Sequence, residues 1–418
     1  MRLRLLFIIL LSFTCISVSF ASDKEAEESS DIKPLSKEDI FYELGLFADA
    51  ITMINSNYVE EVEPKAMVYG ALEGMLPSLD SHSSFLTPEE FKEIQSDAMG
   101  EFGGLGIKVT VRDGILIVVS PLADTPAYKA GVLPGDRIIG IDGESTKDFT
   151  LDDVVKKLRG TPGTSVTLTI MRDNEDRLKE FKIKRALIKI KSIKDALIIE
   201  DGIGYIRIAE FQVRTAPDLD KAVRRLLKKK MKALILDVRN NPGGLLDSAV
   251  LVSEKFLKKG DVIVSTKARI KQQNMIFKSE AFRPYLDFPI AVMINRGSAS
   301  ASEIVAGALR DNKRAIIVGQ KSFGKGSVQT VIPMNDGSAL RLTTSFYYMP
   351  SGDIIHEKGV MPDIEVISEV EISDEDAEER KEKKRSNLKK LREDKQIVSA
   401  IEILKDKERY QSIINKNE

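Results

Sequence analysis

Three serines alternate with alanine in Gly297-Ser-Ala-Ser-Ala-Ser-Glu-Ile304, directly after the apolar run Ile290-Ala-Val-Met-Ile294. That run reads as a buried strand, and Ile304, Val305, Ala308 and Leu309 then recur on one helical face. A strand entering a helix through small residues lets backbone and ligand approach closely and aims unpaired amides outward. Ser298, Ser300 and Ser302 thus sit where helix amides can stabilise an oxyanion, as nucleophilic catalysis by serine requires. Serine is also a preferred helix cap, so the same run equally fits a helix that only caps itself.

A serine nucleophile needs a base, usually histidine, and the chain has only His82 and His356. Both fall in polar loops, and neither is well placed by sequence, although distance along the chain does not exclude contact in space. Lysine can replace histidine where burial lowers its pKa enough to leave the amine neutral near pH 7. Ser322-Phe-Gly-Lys325-Gly-Ser327-Val-Gln329 supplies one between apolar strands. If that stretch is extended, Lys325, Ser327 and Gln329 point to one face, and Gln329 can position the amine. Gly319 to Lys325 also fits the spacing of a phosphate-binding loop, but Gly326 replaces the metal-holding hydroxyl residue. The β-branched Val328-Gln-Thr-Val-Ile332 follows where such a loop needs a helix, which excludes that reading.

The remaining elements must position these groups. At 418 residues, two or three domains are expected. A formal net charge of -1 gives no support for a nucleic-acid partner. One cysteine, Cys15, excludes an intrachain disulfide and argues against a thiolate metal site. Arg2 and Arg4 precede an apolar run to Phe20, with small residues around Ala21, as in a secretory signal peptide; an uncleaved anchor ranks second. Ser22 to Pro34 reads as a linker, and Ser36 with Asp39 as a capping-box start. Ile40, Leu44, Phe47, Ile51 and Ile54 then mark an amphipathic helix, whose stripe is expected to pack into its own domain rather than onto a second copy. Alternating strands and helices from Ile203 to Phe346 indicate an α/β core. Glu378 to Glu393 alternates acid and base, a solvated helix or flexible tail, with Ile397, Ile401 and Leu404 able to anchor a last helix.

Between these regions lies a compact run of short strands. Three glycines in Gly103-Gly104-Leu105-Gly106-Ile107 free the backbone to turn several amides toward one point, which suits capture of a terminal carboxylate. A strand edge beside them can accept an extended peptide. Gly104-Leu-Gly-Ile107, then Ser120-Pro-Leu-Ala-Asp-Thr-Pro-Ala-Tyr-Lys-Ala-Gly131, then Leu133-Pro-Gly-Asp-Arg-Ile-Ile139 resembles a PDZ domain. The resemblance implies that Gly104, Leu105, Gly106 and Ile107 receive a peptide's carboxyl terminus, with Val154, Val155 and Leu158 walling the groove.

Gly297 to Ile304, Phe323-Gly-Lys-Gly-Ser-Val-Gln329 and Asp237-Val-Arg-Asn-Asn-Pro-Gly-Gly244 together resemble the C-terminal processing peptidases, or tail-specific proteases. In that family the nucleophile is the middle serine and the lysine follows by 25 positions, which selects Ser300 and Lys325, with Gln329 as the lysine's partner. The resemblance implies an oxyanion hole of the Ala301 amide with that of Gly243 or Gly244, a choice the spacing leaves open. It implies an α/β multidomain chain: a ClpP/crotonase-like protease core with an inserted PDZ domain, an N-terminal helical region and a charged helical C-terminal tail. The expected boundaries are signal peptide 1–21, linker 22–35, helical region 36–98, PDZ domain 99–185, peptidase core 186–368 and tail 369–418.

The function expected is that of an exported serine endopeptidase, periplasmic or on the outer face of the membrane, acting on proteins with apolar C-termini. No cofactor or metal is expected. An adaptor protein and self-association into a homo-oligomer are compatible with it. The competing reading is a non-catalytic PDZ scaffold with a protease-like binding core, which an intact Ser300, Lys325 and Gln329 set disfavours.

Overall fold

A computed structural model describes residues 37–367 and 391–416, apart from 113, 174 and 176. The signal-peptide, linker and Ser36 readings, Cys15 and most of the charged stretch lie outside the described residues. The chain divides into two units, residues up to Val68 and from Tyr69 onward. The first unit holds α1 (Lys37–Asn57) and the start of α2 (Pro64–Met75). The periodicity of α1 was legible, but its packing was not: Ile40, Leu44, Phe47 and Ile54 all stay exposed, contrary to the expected core packing.

In the second unit, β1 (Ser84–Leu86) and α3 (Pro88–Met99) come first. Thr87 starts α3 with a reciprocal cap: its hydroxyl accepts from the Glu90 amide while Glu90 accepts from the Thr87 amide. Next come β2 (Glu101–Gly104), β3 (Ile107–Arg112), β4 (Ile115–Pro121), α4 (Pro126–Ala130), β5 (Arg137–Ile141), β6 (Glu144–Ser145), α5 (Leu151–Leu158), β7 (Ser165–Met171), β8 (Lys179–Lys184) and β9 (Ala186–Lys189). Strands β3-β4-β5-β7-β8 form an antiparallel sheet with β6 alongside β5, and β3 is its edge. Leu116, Val118, Leu168 and Ile170 pack inward from alternate strand positions, joined by Ile138 and Ile141 on either side of a register shift in β5 and by Val154 and Leu158 of α5. Strands β2 and β9 pair antiparallel, so the chain enters and leaves this small sheet side by side, as an insertion requires.

The larger sheet runs β10 (Ile193–Glu200), β11 (Ile203–Ile208), β12 (Ala233–Asp237), β15 (Ile290–Ile294), β16 (Ile316–Gly319) and β19 (Ile364–Glu365), parallel except for β10. Its strands are apolar on both faces because both faces are covered. Ile206, Leu234, Leu236, Val292 and Ile317 meet α6 (Thr215–Lys228), α7 (Leu246–Ser253) and α8 (Ala301–Asp311). Tyr205, Ile235, Ala291, Met293, Ile316 and Val318 meet α9 (Lys395–Lys405) and α10 (Lys407–Lys416). Ile397, Ile401 and Leu404 are all buried there. A third sheet is built from β13 (Val262–Ala268), β14 (Met275–Lys278), β17 (Ser327–Pro333), β18 (Ala339–Tyr348) and β1.

Candidate active site

The loops leaving β12, β15 and β16 at their C-terminal ends converge, as ligand sites do in parallel sheets. Val238 N donates to Met293 O; Asn295 Nδ2 donates to Asn240 Oδ1 at 2.7 Å, and the Asn240 amide donates to Asn295 Oδ1 at 2.9 Å. The Asn241 carbonyl accepts from the Ala299 amide and from Ser302 Oγ. Ser298 Oγ donates to Val238 O at 2.8 Å. Ser298 and Ser302 are fully buried and committed to this zipper, which leaves Ser300 half-buried between them.

Ser300 has φ 53° and ψ −114°, a conformation disfavoured for a residue with a Cβ. Glu303, fully buried one turn into α8, holds it there. Its Oε2 accepts from the Ser300 amide at 2.7 Å and from the Lys325 amide at 2.9 Å. Its Oε1 accepts from Ser322 Oγ at 2.5 Å and the Gly324 amide at 2.6 Å. Two bonds ending on one oxygen keep the Ser300 and Lys325 amide nitrogens within about 5.6 Å of each other. Burial raises the Glu303 pKa while those four donors oppose the rise, and they fill the carboxylate's acceptor sites. No role for Glu303 emerges from the sequence reading; the Ser300–Glu303 spacing of a capping pair was its one signal.

Lys325 is half-buried, and its pKa is lowered by burial and then by the charge of Arg341. Among the described residues its amine has no hydrogen-bond or ion-pair partner. Gln329 stands two positions beyond Ser327 on β17 and donates through Nε2 to Ser327 Oγ and Thr343 Oγ1. Its Oε1 is buried without a partner, an acceptor left open on that side chain. His356 packs its backbone against Gly326 and its ring against Phe346, with centroids 4.7 Å apart.

The two glycines differ in what they do. A Cβ on Gly243 would lie 2.8 Å from Ser300 Cβ and 3.0 Å from the Ala301 amide, so only glycine lets this loop approach the serine. The Gly243 amide, however, donates to Asn241 Oδ1 at 2.9 Å. Gly244 bridges Phe211 in parallel register, through Phe211 N to Gly243 O and Leu245 N to Phe211 O. That register turns the Gly244 amide away from Phe211. Among the described residues neither the Gly244 nor the Ala301 amide has a partner.

Gly104 lies inside β2 and pairs with Ala186 of β9, so Leu105 and Gly106 make the bend into β3, which begins at Ile107. Leu105 is buried with its carbonyl taken by the Ala127 amide. Gly106 has φ 73°, and its carbonyl accepts from Leu122 N and Thr125 Oγ1.

Residues 202–366 match the model of peptidase family S41, residues 117–172 a PDZ domain, and residues 11–89 the N-terminal domain of the activating protease CtpB. A carboxy-terminal-processing protease of Bartonella bacilliformis is 46% identical over 79% of this chain and 76% of its own length. The carboxy-terminal processing protease CtpB of Bacillus subtilis is 38% identical over 76% of this chain and 66% of its own. Among solved structures, a photosystem II D1 C-terminal processing protease is similar at 29% identity and a TM-score of 0.47, over 78% of this chain and 88% of that one. The chain belongs to peptidase family S41, the carboxy-terminal processing proteases, and carries a PDZ domain.

Proposed function

We propose that the chain is an exported serine endopeptidase that takes apolar protein C-termini on its PDZ domain and cleaves peptide bonds with Ser300 and Lys325. The observation that carries this reading is the Glu303 carboxylate, which holds the Ser300 and Lys325 backbones together on one oxygen. Ser300 Oγ attacks the substrate carbonyl carbon while Lys325 Nζ, whose pKa burial lowers, accepts its proton in the neutral form. The unpaired amides of Ala301 and Gly244 hold the oxyanion, with Gly243 supplying the space. Lys325 then protonates the departing amine. Water attacks the acyl-enzyme, Lys325 again takes the proton, and Ser300 recovers it on release. Gln329 Oε1, an open acceptor on β17 that bonds no amine in this structure, is assigned to orient the Lys325 amine when substrate is bound.

The parallel β–α succession suits a ClpP/crotonase-like core. The free edge of β3 beside Leu105-Gly106-Ile107 suits a peptide added as a strand. The N-terminal charged and apolar run supports export. A binding-only scaffold has no use for a strained, half-buried serine beside a lysine of lowered basicity.

The test is cleavage of an unfolded protein with an apolar C-terminus. Ser300→Ala and Lys325→Ala should each lower kcat by about 10⁴-fold or more, with tail binding retained. Cleavage that survives Ser300→Ala sinks the reading. Cleavage that survives Lys325→Ala and fails in His356→Ala moves the base to the histidine.

A further inference from the structure

We propose that Asp394 and Gln396, in the C-terminal helical segment, are positioning residues for the glycine loop beside Ser300, acting through Arg239. The proposal rests on the peptidase reading above. Arg239 opens that loop at the end of β12 and is 2% exposed. Its guanidinium is divided among three partners from two distant parts of the chain. Nε and Nη2 donate to the Asp237 carboxylate, with the shortest bond at 2.7 Å. Nη1 donates to Asp394 Oδ2 and to Gln396 Oε1, both at 2.7 Å.

Every member is buried: Asp237 is 0% exposed, Asp394 4% and Gln396 1%. Tyr205 donates to Asp237 Oδ2, and Gln396 Nε2 donates to Val366 O. Asp394 uses its second oxygen to cap α9, accepting from the Gln396 and Ile397 amides. The cap that starts α9 is therefore the same carboxylate that fixes Arg239.

From Arg239 the restraint runs without a gap to the serine. Asn240, next in the chain, is tied to Asn295. Asn241 is tied through its carbonyl to Ala299 and Ser302, which flank Ser300, and through Oδ1 to the Gly243 amide. A guanidinium is planar and cannot rotate one nitrogen without moving the others. Loss of the Asp394 acceptor therefore tilts Arg239 and the loop it begins. Oxyanion donors must be aimed before the reaction, so a small tilt acts on the chemical step and leaves substrate binding alone.

The test compares Asp394→Asn with the full-length parent, below the Tm of both, with rates normalised to active sites counted by a serine-reactive phosphonate. Asn keeps the helix cap and removes the charge from Arg239. The expected result is a kcat lowered at least about tenfold with KM and tail Kd unchanged. In Asp394→Asn/Gln396→Glu a carboxylate returns to the same guanidinium nitrogen, and part of the lost kcat should come back. Should Asp394→Asn fail to fold, Gln396→Met removes the other acceptor of the same guanidinium nitrogen, together with the bond to Val366 O, and the same loss of kcat is expected. A kcat per active site equal to the parent's in the folded variants overturns the proposal. An absence of dependence on Ser300 would instead overturn the peptidase reading, so the two failures are told apart.

Discussion

As the proposed base, Lys325 acts only in its neutral form, and two causes favour that form: burial first, then the positive charge of Arg341. Both disfavour the ammonium, so the folded lysine deprotonates at lower pH than a free one. Activity should rise with pH through that lowered value. Arg341→Gln removes the second cause, returns the lysine toward its ordinary pKa and moves the rising limb of kcat/KM to higher pH. Near neutrality the rate should fall up to about tenfold per pH unit of displacement. Arg341→Lys keeps the charge and should keep the profile. A pH–rate profile of the three proteins checks this, and an unmoved limb in Arg341→Gln would remove Arg341 from the account. At the same scale, Glu303 is polar, fully buried and saturated, and it restrains Ser300 in a conformation that costs about 1–3 kcal/mol.

Among elements, the bend between β2 and β3 is where sequence and geometry meet most directly. Gly106 needs φ 73°, and a Cβ there would come within 2.5 Å of the Thr125 side chain, which itself bonds the Gly106 carbonyl. Gly106→Ala should therefore displace the bend and raise the Kd for an apolar tail peptide at least about tenfold. Fluorescence anisotropy with a labelled tail reads it, with Gly114→Ala as control, since a Cβ at Gly114 meets nothing within 4 Å although its φ is also positive. An unchanged Kd in Gly106→Ala would place tail recognition elsewhere.

Across the whole molecule, the C-terminal helices act as a second wall of the main sheet. They cover Tyr205, Ile235, Met293, Ile316 and Val318, which would otherwise form one apolar face. Deleting residues 391–418 should therefore yield aggregated chain, whereas Asp394→Asn leaves the wall in place and touches Arg239 alone. Size-exclusion chromatography of the two proteins separates these cases; a monodisperse deletion would show that the face tolerates water.

The sequence by itself determined most of the elements and named the candidate reacting groups. A continuous apolar run marked β15 and spacing at three and four residues marked α9's buried face, and residue types restricted the base to a lysine or one of two histidines. Those are local properties, set by a residue and its near neighbours. Only the tertiary structure decided the rest. It separated the two glycines, because the register against Phe211 turns the Gly244 amide outward while Asn241 takes that of Gly243. It left the stripe of α1 exposed, where periodicity alone suggested burial. It gave Glu303 its part, since the Gly324 and Lys325 amides approach it only after two strands lie side by side. And it joined Arg239 to Asp394 across 155 residues, a contact that no pattern of spacing encodes because packing of the sheet's second face brings it about.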